Sequence, residues 1–161
     1  VYDLLWREGQ DLGVVNAGYR AIESCRLEKR YLYWGSDIGP DYTPWEAGLG
    51  FAVAMKKGDF IGRPALETRR AEGAKRKLCV FLLDGDKPVY GSEAILRDGK
   101  VVGVTSSAGY GHTVGKWIAF GYLPSDESAH ADYEIEAFTQ RVPAKRIDGS
   151  AYDPERKKIL A

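Results

Sequence analysis

Glu23, Arg26 and Glu28 lie close together on one helical pattern and are the charged groups of this 161-residue chain best placed to meet a ligand. Ala21, Ile22 and Cys25 make an apolar stripe at helical spacing, and Arg26, one turn beyond Ile22, falls on or beside it. A guanidinium against an apolar stripe is costly unless something hydrogen-bonds it. Two readings stay open. Glu23 and Arg26 can form an i,i+3 pair on a solvated face, or the helix end can build a site with the Gly-rich segment from Gly35 to Gly50.

Other familiar chemistry is missing. There is no G-x-S-x-G, no phosphate-binding P-loop and no paired Cys or His ligand set. Gly109-Tyr110-Gly111 with Gly115 lacks the spacing of a dinucleotide fingerprint and follows a strand pattern, so a hairpin loop accounts for these glycines. His112 and His130 fall in loop-like segments without a nucleophile and carboxylate nearby and are read as surface histidines. Cys25 and Cys79 each sit in an apolar pattern and are expected to be buried thiols, not a disulfide or a metal site. The four tryptophans and ten tyrosines form no regular stripe. They serve core or sheet-face packing, or wall a flat heterocycle.

The elements that would position these groups divide into two halves. Val1, Leu4, Leu5 and Leu12 have helical spacing, with Gly13 as a stop, and predict a short surface helix. Asn16 is read as the cap of a second helix running toward Lys29 to Tyr31, with Gly18 on its packed face. Past the turn-rich Gly35 to Pro44, the apolar run Phe51 to Met55 is read as a strand fed by a tight loop. A third helix is expected over Arg63 to Arg70, with Pro64 in its first turn.

From Lys75 onward the pattern becomes short strands at regular spacing: Leu78 to Leu83, Ala94 to Leu96, Val101 to Thr105, Trp117 to Leu123, Tyr133 to Phe138 and Arg141 to Ile147. That spacing predicts a small antiparallel barrel or sandwich. Asp98-Gly99 between apolar runs is a two-residue hairpin signal, because both central positions of a type I′ turn need positive φ. Tyr133 to Ala137 alternates, as a strand with one solvated face does.

Twenty-three basic and 23 acidic residues cancel. No global field draws the chain to nucleic acid or anionic lipid, so neither is expected as a partner. The longest apolar stretches, such as Trp117 to Tyr122, fall short of the roughly 18–20 residues of a membrane span, and the N-terminus has no signal-peptide pattern. A soluble, cytoplasmic protein is expected. The sequence opens at Val1 directly in a helical pattern, which reads as a boundary inside a longer protein.

Several separated motifs carry a resemblance. They are Glu23-Ser24-Cys25-Arg26-Leu27-Glu28, Tyr33-Trp34-Gly35-Ser36-Asp37-Ile38 and Thr43-Pro44-Trp45-Glu46-Ala47-Gly48-Leu49-Gly50-Phe51, followed by Phe60-Ile61-Gly62-Arg63-Pro64-Ala65-Leu66, Gly103-Val104-Thr105-Ser106 and Arg141-Val142-Pro143-Ala144. In this order they resemble the glycine cleavage T-protein, or aminomethyltransferase, family across nearly the whole chain. Tyr33 to Asp37, Gly111 to Lys116 and Tyr152-Asp153-Pro154 look most like the T-protein-like tails of dimethylglycine and sarcosine dehydrogenases, in which a flavin domain precedes the folate domain.

The resemblance implies an α+β chain: the helical end of an α/β domain followed by a small antiparallel, Greek-key-like β-barrel. Residues 1–60 would be the C-terminal portion of the central folate-binding domain and residues 61–161 the barrel. It implies tetrahydrofolate as cofactor, with FAD on a preceding domain in the dehydrogenase branch, and folate and the N-terminal domains of the same protein as partners. In full length the function would be transfer of a one-carbon unit from an amine donor to tetrahydrofolate. The alternative is a non-catalytic regulatory or domain-docking module. If the source is eukaryotic, the implied compartment is the mitochondrial matrix. Arg26 matches an arginine that looks toward the folate in the family, Phe51 a position where many members have tryptophan near the pocket, and Tyr152 lies in a C-terminal segment that approaches the site, so the resemblance implies these three as cofactor-binding. Cys25 departs from the motif, where the family has leucine. The family's aspartate near the folate nitrogens belongs to the first domain, so no catalytic residue is assigned and the isolated chain is expected to be inactive.

Overall fold

The computed structural model describes residues 1–127 and 132–160, so His130 lies outside the described residues. Helix α1 (Tyr2–Gly9) runs into a 3-10 turn at Gln10–Leu12, closed by Gly13 at φ 72°. It buries none of its residues, as a surface helix should. Helix α2 (Tyr19–Glu28) is capped by Gly18 and not by Asn16, whose side chain instead accepts a hydrogen bond from the Tyr2 hydroxyl at 2.9 Å. Helix α3 (Arg63–Glu72) has Pro64 in its first turn, where the missing N–H costs nothing, and stops at Gly73 with φ 77°.

Six strands close into an antiparallel barrel in the order β1 (Arg76–Leu83), β4 (Lys116–Pro124), β3 (Lys100–Gly111), β2 (Ala94–Arg97), β5 (Asp132–Ala137) and β6 (Gln140–Ile147). The seam is β1 against β6, with Val80 opposite Ile147. Asp98 and Gly99 take φ values of 50° and 74° between β2 and β3, as the type I′ expectation required.

Alternation along each strand sorts the core into two layers. Cys79, Phe81 and Leu83 of β1 point into the barrel with Ile95, Ala119, Leu123, Ile135 and Val142. Leu78 and Val80 point outward with Ile118, Phe120 and Tyr122 of β4, and Leu27 of α2 covers them. Strands β1 and β4 are buried on both faces, which is why they read as near-continuous apolar runs. Gly109 of β3 lets α2 approach, since a β-carbon there would stand 2.8 Å from Leu27 Cδ1.

Besides the Asn16 cap, four sequence expectations are corrected. The inward face of α2 is Ser24, Arg26, Leu27 and Glu28, while Ile22 and Cys25 are exposed. Polar side chains with partners on the barrel win that face, so only Cys79 of the two thiols is buried. Residues 51–55 form no strand; Gly50–Ala52 is a 3-10 turn. Strand β3 runs on to Gly111, through a register shift between Thr105 and Ser107. No helix of the described residues is long and apolar enough to cross a membrane.

Candidate functional site

The buried face of α2 organises a charged cluster that joins several of the motifs. Arg26 is 6% exposed. Its Nε donates to Glu23 Oε1 at 3.0 Å, and Nη2 reaches the same carboxylate. Its Nη1 donates to Asp37 Oδ2 at 2.6 Å and to the Tyr31 carbonyl at 3.4 Å, while the guanidinium lies 4.5 Å from the centre of the Tyr33 ring. The guanidinium predicted to need a partner therefore has two carboxylates, one near in sequence and one across a loop.

Asp37 is fully buried, and each of its oxygens is used. Oδ2 accepts from Arg26 and from the Tyr33 N–H at 3.0 Å, and Oδ1 accepts from the Ser106 hydroxyl at 2.6 Å. Its carbonyl accepts from the Tyr122 hydroxyl at 2.9 Å. Ser106 is the extra residue at the β3 register shift, and a bulge of this kind re-aims a side chain. Burial pushes the Tyr122 phenol well above its ordinary pKa, so the hydroxyl stays a donor. The motifs around Arg26, Asp37 and Ser106 are thus three ends of one hydrogen-bonded knot. Sequence reasoning missed Asp37 because an irregular loop separates it from Arg26. Its only signal was an acidic residue inside an aromatic, glycine-containing turn.

Glu28 serves the other end of α2. Its Oε1 accepts from the N–H groups of Thr113 at 2.6 Å and Val114 at 3.2 Å, and Ser24 bonds the Tyr110 carbonyl and the His112 N–H at 2.9 and 3.2 Å. These bonds pin the β3–β4 turn to the helix. The glycine-rich segment at Gly109 to Gly115 is held by protein groups, in keeping with its reading as a hairpin.

The three sequence-predicted site residues are placed differently. Phe51 is 86% exposed and lines a cleft of about 380 Å³ with Tyr31, Leu49, Lys29, Arg30 and Arg156. Tyr152 lies behind its rim: its N–H donates to the Glu28 carbonyl at 2.9 Å, and Lys29 Nζ stands 5.9 Å from its ring centre. Its neighbours Ser150 and Pro154 line the same cleft. Arg26 does not line it and touches it only through Tyr31, whose carbonyl it holds. The structure brings Phe51 and the Tyr152 tail together and sets Arg26 beneath them.

Three cations converge on that cleft. Lys29 is matched by Asp153 at 3.0 Å, and Arg30 donates to the Leu78 carbonyl at 3.4 Å, with burial pulling its pKa down. Arg156 has no acidic partner within ion-pair distance among the described residues. Cationic charge exceeds its local compensation here, and an exposed aromatic ring stands beside it. Such a wall suits a flat molecule bearing carboxylates. Among the described residues no group of three or more His, Cys, Asp or Glu could hold a metal ion.

Comparison with known proteins gives matches along most of the chain. Residues 76–153 match the glycine cleavage T-protein C-terminal barrel domain, and residues 1–57 match the GCVT N-terminal domain. The chain is 40% identical over 168 residues to the mitochondrial sarcosine dehydrogenase of Mus musculus, an alignment that takes in 99% of this chain and 18% of that protein. It is 41% identical over 155 residues to the aminomethyltransferase of a Nostoc species, taking in 95% of this chain and 41% of the relative. The crystal structure of glycine cleavage system aminomethyltransferase T from Bartonella henselae superposes with a TM-score of 0.83 at 25% identity, covering 92% of this chain and 42% of that one. The chain therefore spans less than half the length of each of these relatives.

Proposed function

The chain belongs to the glycine cleavage T-protein family, and from that premise we propose that it is the C-terminal part of a folate-dependent one-carbon transfer protein. On this reading residues 1–60 complete the central folate-binding domain and residues 61–161 are the closing barrel. The observation that supports it is the cleft in which the Phe51 ring is exposed beside Lys29, Arg30 and Arg156. Tetrahydrofolate has a flat bicyclic ring and a carboxylate tail, and that pairing fits an aromatic wall next to an excess of cations.

When bound, the folate supplies the nitrogens that accept a one-carbon unit from an amine donor. The chain's own part is to bind and orient. Phe51 offers a ring face, Arg156 is the cation left to meet a carboxylate, and Lys29, paired with Asp153, ties the Tyr152 tail to the rim. Arg26 has its donors taken within the chain. Its role is to hold the Tyr31 to Asp37 loop in the shape that the cleft requires, so it is a positioning residue. Fixing the acceptor in one orientation lowers the entropic part of the barrier. The likeness to a sarcosine dehydrogenase supports a methylated amine as the donor on this reading, and a flavin domain would then lie elsewhere in the full protein. In a eukaryote the compartment would then be the mitochondrial matrix, and otherwise the cytoplasm.

Titration of the full-length protein with tetrahydrofolate tests this. Phe51→Ala and Arg156→Ala should each weaken binding by about tenfold, a loss of about 1.4 kcal/mol. Unchanged affinity in both variants removes this cleft from the folate site. Tight binding without turnover on any methylated amine would instead support the non-catalytic docking module.

A further inference from the structure

A second cleft, of about 840 Å³, meets the Asp37 carboxylate through Ser106, away from Arg26, and is not used by the function proposed above. Its walls come from the loop after α2, the start of β1, the Ser92 turn and the β3 bulge. Arg76 is fixed in it by four contacts. The guanidinium lies 4.5 Å from the Tyr42 ring centre and 5.9 Å from that of Tyr122, and those two rings stack at 4.0 Å and 7°. Nη2 donates to the Asp41 carbonyl at 2.9 Å, and Nε faces Glu46 at 3.7 Å. Nη1 is left without an acceptor among the described residues.

Three more donors converge there. Lys75, Ser36 and Ser92 line the cleft, and their side chains make no hydrogen bond or ion pair with the described residues. Ser92 adopts φ 69°, a backbone conformation uncommon for serine, which holds it in the turn at the cleft wall. The one carboxylate on the lining, Glu46, is already occupied by the Thr43 N–H and hydroxyl at 2.9 and 3.0 Å. The cleft thus has donors to spare and two cations against one carboxylate, of which one oxygen is spent and the other faces Arg76. A guanidinium clamped on an aromatic stack has little rotamer freedom left to lose and presents a planar edge suited to an oxyanion.

We propose that this cleft is a second ligand site, which takes a small organic oxyanion, a carboxylate or a phosphate ester, against the free edge of Arg76 with Lys75, Ser36 and Ser92 around it. The site is independent of folate. Its floor residue, Ser106, is hydrogen-bonded to Asp37, so an occupant would sit one hydrogen bond from the buried ion pair of α2.

Titration of the 161-residue chain with sodium malonate and, separately, inorganic phosphate at constant ionic strength, followed by amide NMR, tests it. Saturable shifts are expected at Ser36, Ser92 and Ser106, and the tighter of the two anions names the chemistry. Arg76→Lys, which keeps the charge and loses the fork, should weaken binding by about tenfold, and Lys75→Ala by about threefold. Arg156→Ala, in the other cleft, should leave it unchanged. Shifts that grow linearly with either salt, or affinities unchanged in both Arg76→Lys and Lys75→Ala, overturn the proposal. Lys75 makes no side-chain hydrogen bond or ion pair with the described residues, so its variant stays informative if changes at Arg76 disturb the tyrosine stack.

Discussion

Arg26 donates to Asp37 across the loop that follows α2, Nη1 to Oδ2 at 2.6 Å, and the two side chains are 6% and 0% exposed. The pair joins the helix to the turn and, through Ser106, to the barrel. Removing one member of a buried pair leaves an uncompensated charge, and that loss outweighs the net worth of the pair itself. Asp37→Ala should therefore lower the unfolding free energy by about 3–5 kcal/mol in urea denaturation. A change under about 1 kcal/mol, the range of a surface pair, would mean the network is open to water.

Glu28 is the acceptor for two backbone donors of the β3–β4 turn. Glu28→Ala should cost about 1–3 kcal/mol for the amides left unsatisfied. Hydrogen exchange at Thr113 and Val114 should accelerate well beyond that of the β1 amides. Uniform acceleration through the barrel would assign the loss to global stability and not to this turn.

The β5–β6 turn is built from residues that disfavour it. Phe138 and Thr139 take φ values of 49° and 61°, the positions that Asp98 and Gly99 fill in the β2–β3 hairpin. Left-handed backbone is unfavourable for a β-branched residue, and a type I′ turn prefers Asn-Gly. The double substitution Phe138→Asn, Thr139→Gly should stabilise the chain by about 1 kcal/mol, read as a rise in Tm. A fall in Tm would show that the Phe138 ring, 6.2 Å from Tyr90, contributes more than the turn loses.

Part of the acid sensitivity should come from Glu46. Burial alone would raise its pKa, but the Thr43 N–H, the Thr43 hydroxyl and Arg76 outweigh it and hold the carboxyl below its ordinary value. A depressed folded-state pKa stabilises the fold above the unfolded value and is lost as pH falls through the folded one. Wild-type stability should thus decline as pH drops below about 4 to 4.5, and Glu46→Gln should flatten that limb. Superimposable acid limbs would place the titrating group elsewhere.

The barrel was legible in the sequence because alternation, regular spacing and Asp98-Gly99 all act locally. The second half of β3 was not, because Ser106 to Gly111 consists, Tyr110 apart, of serine, alanine and glycine where α2 crosses it, and close approach demands what hydrophobic pattern cannot signal. On α2 the apolar stripe pointed to the wrong face. Ile22 is exposed, and Ser24, Arg26 and Glu28 are turned inward by partners on distant strands and loops. Periodicity sees apolarity and cannot see a hydrogen-bond partner that lies far along the chain. The same limit hid Asp37, and it let family resemblance identify Arg26 without showing that its donors are spent inside the chain.

Closure of the barrel at Val80 and Ile147 also sets an order of assembly. Hairpins β2–β3, β3–β4 and β5–β6 join neighbouring segments, whereas the seam unites the first strand with the last. Loop-closure entropy must be met before a non-local pairing is rewarded, so the seam is the natural late step, completed after the main folding barrier has been crossed. Residues at the seam, Val80 and Leu82 among them, would then change the unfolding rate more than the refolding rate.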